Sequence, residues 1–276
     1  NYSFLEQEYL GRFIYFFLYF SSIFLVISYD KGSDFKNLLI VLILIIISFD
    51  FDLFKGYQEY LIFSLINIFI VIYYNEKNNK YLSLLGLLIL NAIIWFKDEG
   101  LIYSIPILIM CLVKNNKVLS IKNAYFIFTV FIIVMFKFVM MNNLTSNALL
   151  GGFMIDKVFK ELFNFSTFFS DLILIFKHFL ISYFKYPIWL FVILFILFPP
   201  KKIKIKKLHR DALFIFIFCI ITNFLIFHTQ RTEILEWHLT TALDRLNLML
   251  SAYFLYFIYI NLDQYLKIFF RNVSNN

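Results

Sequence analysis

The sequence contains little charge. Charged residues make up 16% of the 276 residues, whereas hydrophobic residues make up 62% and aromatic residues 22%. A water-soluble domain of this length could not bury so much apolar surface in one core, which excludes a soluble globular protein. The composition therefore predicts an all-α integral membrane protein that crosses the lipid several times.

Cysteine and histidine are also scarce. The chain has two cysteines and four histidines, and Cys111 and Cys219 both lie inside apolar runs. These numbers exclude a disulfide framework. Because no histidine is paired with acidic residues at ligand spacing, no metal site is predicted. His178, His209 and His228 stand alone in the sequence and are expected to be structural.

Several common functional signatures are missing. The chain has no P-loop, no glycine-rich dinucleotide motif and no serine nucleophile elbow, and no cofactor is predicted. No internal repeat is evident, so an inverted-repeat transporter finds no support. The net charge is +7, but the basic residues fall mostly between apolar runs. That pattern indicates membrane orientation and not a nucleic-acid partner.

Nine apolar stretches are present that can span or nearly span a bilayer, for which about 20 residues are needed. Several are short, so each is expected to recruit flanking residues. They are Phe13–Ser28, Leu38–Phe49, Tyr60–Tyr74, Tyr81–Phe96, Leu101–Val113, Ala124–Met141, Ile188–Phe198, Ala212–Phe227 and Leu248–Leu266.

The distribution of charge predicts the orientation. Most basic residues fall into one set of connecting segments, and the run Lys201–Lys207 is the strongest signal that this set is cytoplasmic. Most acidic residues fall on the other, outer side. Topology does not require this second bias, because acidic residues contribute little to orientation. The carboxylates therefore indicate an outward-facing active site.

The longest segment without a predicted span covers residues 142–187. Within it, Asp156–Phe165 and Phe169–Tyr183 read as amphipathic helices that lie in the membrane interface on the outer face. The chain as a whole, 1–276, reads as a single polytopic domain. It opens at Asn1 without an initiator methionine, so we expect a fragment with an upstream span missing.

Four charged groups lie at the predicted outer ends of the spans. Placing such groups at a membrane boundary is unfavourable unless they meet water, one another or a ligand. They are Glu6–Arg12, Gly56–Glu59, Lys97–Gly100 and Glu236–Arg245.

These four groups, in this order, resemble motifs of the GT-C superfamily of polytopic glycosyltransferases. The branch that looks most similar is that of the bacterial protein mannosyltransferase and lipid A aminoarabinose transferase relatives. The resemblance implies transfer of a sugar from a polyprenyl-phosphate donor to a lipid, glycan or protein acceptor on the outer side. It also implies that the catalytic base lies upstream of Asn1. Glu59 departs from the family's usual Asp, which leaves its role open.

An inverting transfer needs a carboxylate to take the acceptor's proton and cations to bind the departing phosphate. The candidates for catalysis are Glu59, Asp98 and Glu99. The candidates for binding the donor phosphate are Lys97, Arg245 and Arg12. The candidates for binding substrate are Glu8, Tyr57, Trp237, His238 and Asp244.

Structural roles remain open for each of these residues. A cation at this depth also anchors a helix by reaching towards the interface, and an adjacent acid and base form structural ion pairs. Tyr57 and Trp237 fit an interfacial aromatic belt as well as a sugar platform. Two other protein classes stay open, a transporter or lipid flippase and a non-catalytic membrane scaffold. The predicted location is the bacterial inner membrane, with membrane lipids as partners and the active face outward.

Overall fold

The described part of the protein is entirely helical. The computed structural model describes residues 2–28, 34–50, 58–75, 79–96, 100–114, 121–145, 165–199, 206–229 and 235–274. Every regular element in these ranges is an α-helix, and no strand occurs among them. The all-α prediction is therefore confirmed for the described residues.

The helices follow one another with short connections. In chain order they are α1 (Tyr2–Ser28), α2 (Asp34–Asp50), α3 (Gln58–Asn75), α4 (Asn79–Phe96), α5 (Gly100–Tyr103), α6 (Ile105–Lys114), α7 (Ile121–Thr145), α8 (Phe165–Lys185), α9 (Pro187–Leu197), α10 (Lys206–Thr229) and α11 (Leu235–Ser274). Each of the nine predicted apolar stretches is helical, except that Leu101–Val113 is divided between α5 and α6 at Ser104 and Ile188–Phe198 ends one residue beyond α9.

Among the described residues, fewer helices meet the length and hydropathy of a membrane span than are apolar. Among the described residues, Asn123–Met140 of α7 and Lys206–His228 of α10 are long and apolar enough to cross a membrane. The bent pair α8–α9 makes a third span if it is counted as one. Four further apolar helices are shorter, at 10–17 residues: Phe13–Ser28, Glu59–Asn75, Tyr81–Phe96 and Gly100–Lys114. The predicted nine spans are therefore not confirmed, although the helices themselves are.

Helix α7 is the one whose surface looks most like a lipid contact. Only 17% of its apolar window is buried inside the protein. Large apolar side chains cover its outer surface, including Tyr125, Phe128 and Phe131, which are between 56% and 70% exposed. In water such a surface would be unfavourable, whereas lipid tails accommodate it.

Helix α8 ends at a sharp corner because of a proline. Pro187 disfavours helical geometry in the residue before it, and Tyr186 accordingly has extended backbone angles of φ −107 and ψ 120. Helices α8 and α9 consequently meet at 99°. The predicted helix Phe169–Tyr183 lies within α8, while Asp156–Asn164 lies outside the described residues.

The described residues divide into two compact units. Unit 1 comprises Asn1–Val71, Lys177–Phe218 and Thr240–Asn276, and unit 2 comprises Ile72–Phe176 and Cys219–Leu239. Both units are built from segments distant in the sequence.

Polar contacts between helices hold unit 1 together. The side-chain amide of Asn67 on α3 donates to the backbone oxygen of Ser22 on α1 at 3.0 Å. On α2, the buried ammonium of Lys36 lies 3.6 Å from the ring centroid of Tyr259 on α11. The Tyr259 hydroxyl donates to Asn37 at 3.0 Å. Interhelical hydrogen bonds of this kind fix which helices are neighbours where apolar packing alone is unspecific.

In unit 2, helix α4 packs against α5, α6 and α7. Two lysine ammonium groups in this unit also donate hydrogen bonds to backbone oxygens. Lys114 donates to Tyr73 and Lys137 to Ile94, each at 2.6 Å. Tyr103 on α5 donates to Asn223 on α10 at 2.5 Å, and both side chains are buried. Each of these contacts satisfies a polar group that would be unfavourable if it were buried without a partner.

Candidate functional site

The corner between α8 and α9 presents a cation and a phenol to helix α11. The Lys185 ammonium donates to Asp244 Oδ2 at 3.1 Å, and the Tyr186 hydroxyl donates to the same oxygen at 3.1 Å. The carboxylate of Asp244 is therefore held by two donors from a single corner. The rings of Tyr183 in α8 and Trp189 in α9 stack with their centroids 4.6 Å apart, and this contact across the corner stabilises it.

The next residue of α11 reaches a different partner. Arg245 Nη1 lies 3.8 Å from Glu59 Oε1, at the start of α3, and Arg245 Nε donates to Thr241 O at 3.1 Å. Adjacent residues on a helix point about 100° apart. This explains why Asp244 and Arg245 serve two separate partners and do not pair with each other.

Together these five residues form what we call the corner cluster: Glu59, Lys185, Tyr186, Asp244 and Arg245. All five belong to unit 1. The carboxylates lie deeper than the cations, since the Glu59 and Asp244 side chains are 4% and 28% exposed. The Lys185 and Arg245 side chains are 49% and 38% exposed. The accessible face of the corner cluster is therefore cationic.

This arrangement is suited to binding an anion. The two carboxylates hold Lys185 and Arg245 in place, and these are multi-donor cations, since arginine carries five N–H donors and lysine three. Guanidinium and ammonium groups are the cations that proteins use to bind phosphate. Within the described residues no group of three or more His, Cys, Asp or Glu side chains could hold a metal ion.

The structure brings together three of the predicted site residues, namely Glu59, Asp244 and Arg245. Trp237 is 61% exposed near the start of α11. Tyr57, Lys97, Asp98 and Glu99 lie outside the described residues. The backbones of Glu8, Arg12 and His238 belong to α1 and α11, but their side chains lie outside the described part of the chain.

Gly100, which ends the predicted group Lys97–Gly100, has a steric role. A Cβ atom at this position would lie 2.1 Å from the backbone oxygen of Ile93 in α4. Real Cβ atoms essentially never approach another atom so closely. Only glycine therefore allows α5 to begin directly against the last turns of α4.

Two residues of the corner cluster were not predicted. Lys185 and Tyr186 precede a proline at the end of an amphipathic run, and this pattern signals a break in the helix. The sequence does not show towards which helix the break points the side chains. Their contact with Asp244 depends on how the helices pack in the tertiary structure.

His228, which stands alone in the sequence, has a close partner in the structure. Its Nδ1 lies 3.0 Å from Asp171 Oδ2, and the two side chains are 1% and 3% exposed. The residues are 57 positions apart, so no local motif could have revealed the pair.

The fold and the site together define a class and nothing narrower. The described residues form an all-helical protein with two helices, or three if the bent pair is one span, able to cross a membrane. That is compatible with an integral membrane protein. No protein-family model matches the chain, and neither a curated protein nor a solved structure matches it.

Proposed function

We propose that this protein is a polytopic membrane glycosyltransferase that takes its sugar from a polyprenyl-phosphate donor. The observation that carries the proposal is the corner cluster, in which a buried carboxylate, Glu59, lies 3.8 Å from the half-exposed Arg245. The resemblance of four charged groups to the GT-C superfamily is the second support. Transfer takes place on the outer face of the bacterial inner membrane, to a lipid, glycan or protein acceptor.

Arg245 and Lys185 bind the phosphate of the donor. As the bond to the sugar breaks, negative charge grows on the phosphate oxygens, and fixed cations stabilise this charge most where water is excluded. Arginine offers two parallel N–H groups to a phosphate, whereas lysine acts as a point charge. Lys97 and Arg12 remain candidates for the same task.

Glu59 and Asp244 act as positioning residues in this scheme. Each carboxylate fixes the direction of one cation, so the donors are in place before the substrate arrives. The Tyr186 hydroxyl shares Asp244 with Lys185. Asp98 and Glu99 remain the candidates, within this chain, for contact with the acceptor hydroxyl.

The proposed placement in the membrane uses the same elements. The chain crosses the bilayer about nine times, with short apolar helices completed by their polar ends, and α8 lies in the outer interface. The 99° corner at Tyr186 suits a chain that turns from the interface into the lipid. The prenyl chain of the donor then lies along apolar helices, and its phosphate stays at the boundary.

Binding of a polyprenyl phosphate tests this function. The intact protein in nanodiscs is titrated with a polyprenyl phosphate and with the unphosphorylated polyprenol of equal chain length. The phosphate should bind at least about tenfold more tightly, which corresponds to about 1.4 kcal/mol from the added ionic contacts. Lys185→Gln should weaken only the binding of the phosphate.

Lys177 provides the matched control, because it is an exposed lysine two turns earlier on the same helix. Lys177→Gln should leave both affinities unchanged. Equal affinity for the two lipids would contradict the assigned role of the corner cluster. Tight binding of the phosphate, followed by its movement across the bilayer without release of sugar from a sugar-loaded donor, would identify a flippase instead.

A further inference from the structure

A buried histidine–aspartate pair lies in unit 2, and neither of its residues is used in the proposed function. Asp171 belongs to α8 and His228 to the last turn of α10. The His228 Nδ1 and Asp171 Oδ2 atoms are 3.0 Å apart, and both side chains are almost fully buried. Ionisable groups inside candidate spans are rare and usually mark a functional site.

Aromatic rings enclose the imidazole of His228. The Phe224 ring lies parallel to it, with centroids 5.7 Å apart and planes 8° apart. The Phe168 ring meets it edge-on at 5.5 Å. The two rings hold the imidazole plane in a fixed orientation, so its second nitrogen points in one direction.

That second nitrogen, Nε2, is buried and has no hydrogen-bond partner among the described residues. A carboxylate can only accept, so Nδ1 carries the proton that is donated to Asp171. In the neutral imidazole, Nε2 is therefore a bare acceptor. A buried polar atom without a partner is unfavourable by about 1–3 kcal/mol, and native proteins seldom contain one without a reason.

We infer that His228 Nε2 is a binding site for a hydroxyl group, oriented by Asp171 and walled by Phe168 and Phe224. A hydroxyl is the one common neutral group whose single oxygen serves both states of the imidazole. It donates to the bare nitrogen, and it accepts from the N–H of the charged form. The source of the hydroxyl is either water or the alcohol head of an amphiphile, such as a sugar-bearing lipid.

The histidine–aspartate pair can also activate the hydroxyl group that it binds. An aspartate that holds Nδ1–H fixes the tautomer of the ring and stabilises the cation that forms when Nε2 takes a proton. A hydroxyl bound at Nε2 is therefore polarised towards loss of its proton. This inference depends on unit 2 alone, and it stands or falls independently of phosphate binding in unit 1.

Nitrogen NMR of the intact protein tests the site. The histidine side chains are labelled with ¹⁵N, and spectra are taken in two detergents, an alkyl glucoside and a zwitterionic detergent without hydroxyl groups. His228 should show a protonated Nδ1 and an Nε2 whose resonance is that of a hydrogen-bonded acceptor. A shift seen only in the glucoside identifies an alcohol, and the same resonance in both detergents identifies water.

Variants assign and check the signal. His228→Gln removes it, and if that variant does not fold, single replacement of the other three histidines assigns the signal by elimination. Asp171→Asn should abolish the preference for Nδ1–H, because an amide does not hold that proton as a carboxylate does. His178→Gln should change nothing at His228.

Two results would overturn the inference. One is an Nε2 resonance free of any hydrogen bond in both detergents. The other is a ring whose nitrogen signals do not respond to Asp171→Asn.

Discussion

We expect Arg245→Gln to lower the release of polyprenyl phosphate from a sugar-loaded donor by about 100-fold, the usual effect of removing one donor to developing charge. The reason is that Arg245 is the member of the corner cluster with bidentate geometry for phosphate. The assay follows labelled donor in membranes that contain the intact protein. Arg245→Lys should recover part of the activity, because it restores the charge but not the paired N–H groups.

The same substitution should lower stability, because it removes the guanidinium that lies 3.8 Å from the buried Glu59 carboxylate. Breaking a fully buried ion pair destabilises by about 3–5 kcal/mol. Because the Arg245 side chain is 38% exposed, solvent screening reduces this to about 1–3 kcal/mol. Thermal unfolding in detergent measures the loss.

Arg210→Gln is the matched control for both effects. Arg210 also faces a carboxylate, with its Nε 3.7 Å from Asp211 Oδ1, but its side chain is 73% exposed. An exposed pair of this kind contributes at most about 1 kcal/mol, so both activity and unfolding temperature should stay close to the parent values. Full activity of Arg245→Gln, or an equal loss in Arg210→Gln, would remove Arg245 from the site.

The second large effect is expected at Gly100. Replacement by alanine places a Cβ about 2 Å from the Ile93 backbone oxygen, and the clashing atom belongs to a helix that cannot give way cheaply. Overpacking of this kind destabilises by about 1–3 kcal/mol and occasionally more. We expect Gly100→Ala near the upper end of that range, with a fall in the thermal unfolding temperature and faster proteolysis.

Leu88→Ala in α4, the helix that contains Ile93, is the control for Gly100→Ala. Leu88 is 59% exposed, so its truncation should change stability by no more than about 0.5 kcal/mol. Equal stability of Gly100→Ala and the parent protein would show that α5 does not begin against α4 as described. A glycine that is required sterically needs no catalytic role to explain its place beside Lys97, Asp98 and Glu99.

The sequence predicted the helices well because apolar runs in lipid have few alternatives. A backbone in the bilayer must satisfy its own hydrogen bonds, which a helix does within one segment. The same reasoning did not predict the helix ends. Helix α11 extends over 40 residues, well beyond the predicted span Leu248–Leu266, since polar helical turns are stable outside lipid as well.

Contacts between side chains that are distant in the sequence were the part of the structure that the sequence predicted least well. Glu59 and Arg245 were both candidate site residues at the predicted outer ends of spans, so the sequence indicated one face for them but not their contact. Nothing comparable connected Asp171 with His228. Lys185 was missed although Pro187 marked the break in the helix, because the direction of the corner depends on how α8 packs against α11.

The most direct test of the central claim is a double-mutant cycle between Glu59 and Arg245, read out as affinity for polyprenyl phosphate. If Glu59 acts by orienting Arg245, then Glu59→Gln and Arg245→Gln each weaken binding, and the double variant binds no worse than Arg245→Gln alone. The predicted interaction is about 0.5–3 kcal/mol, the range for residues in contact. Purely additive losses, or unchanged affinity in Arg245→Gln, would contradict the account.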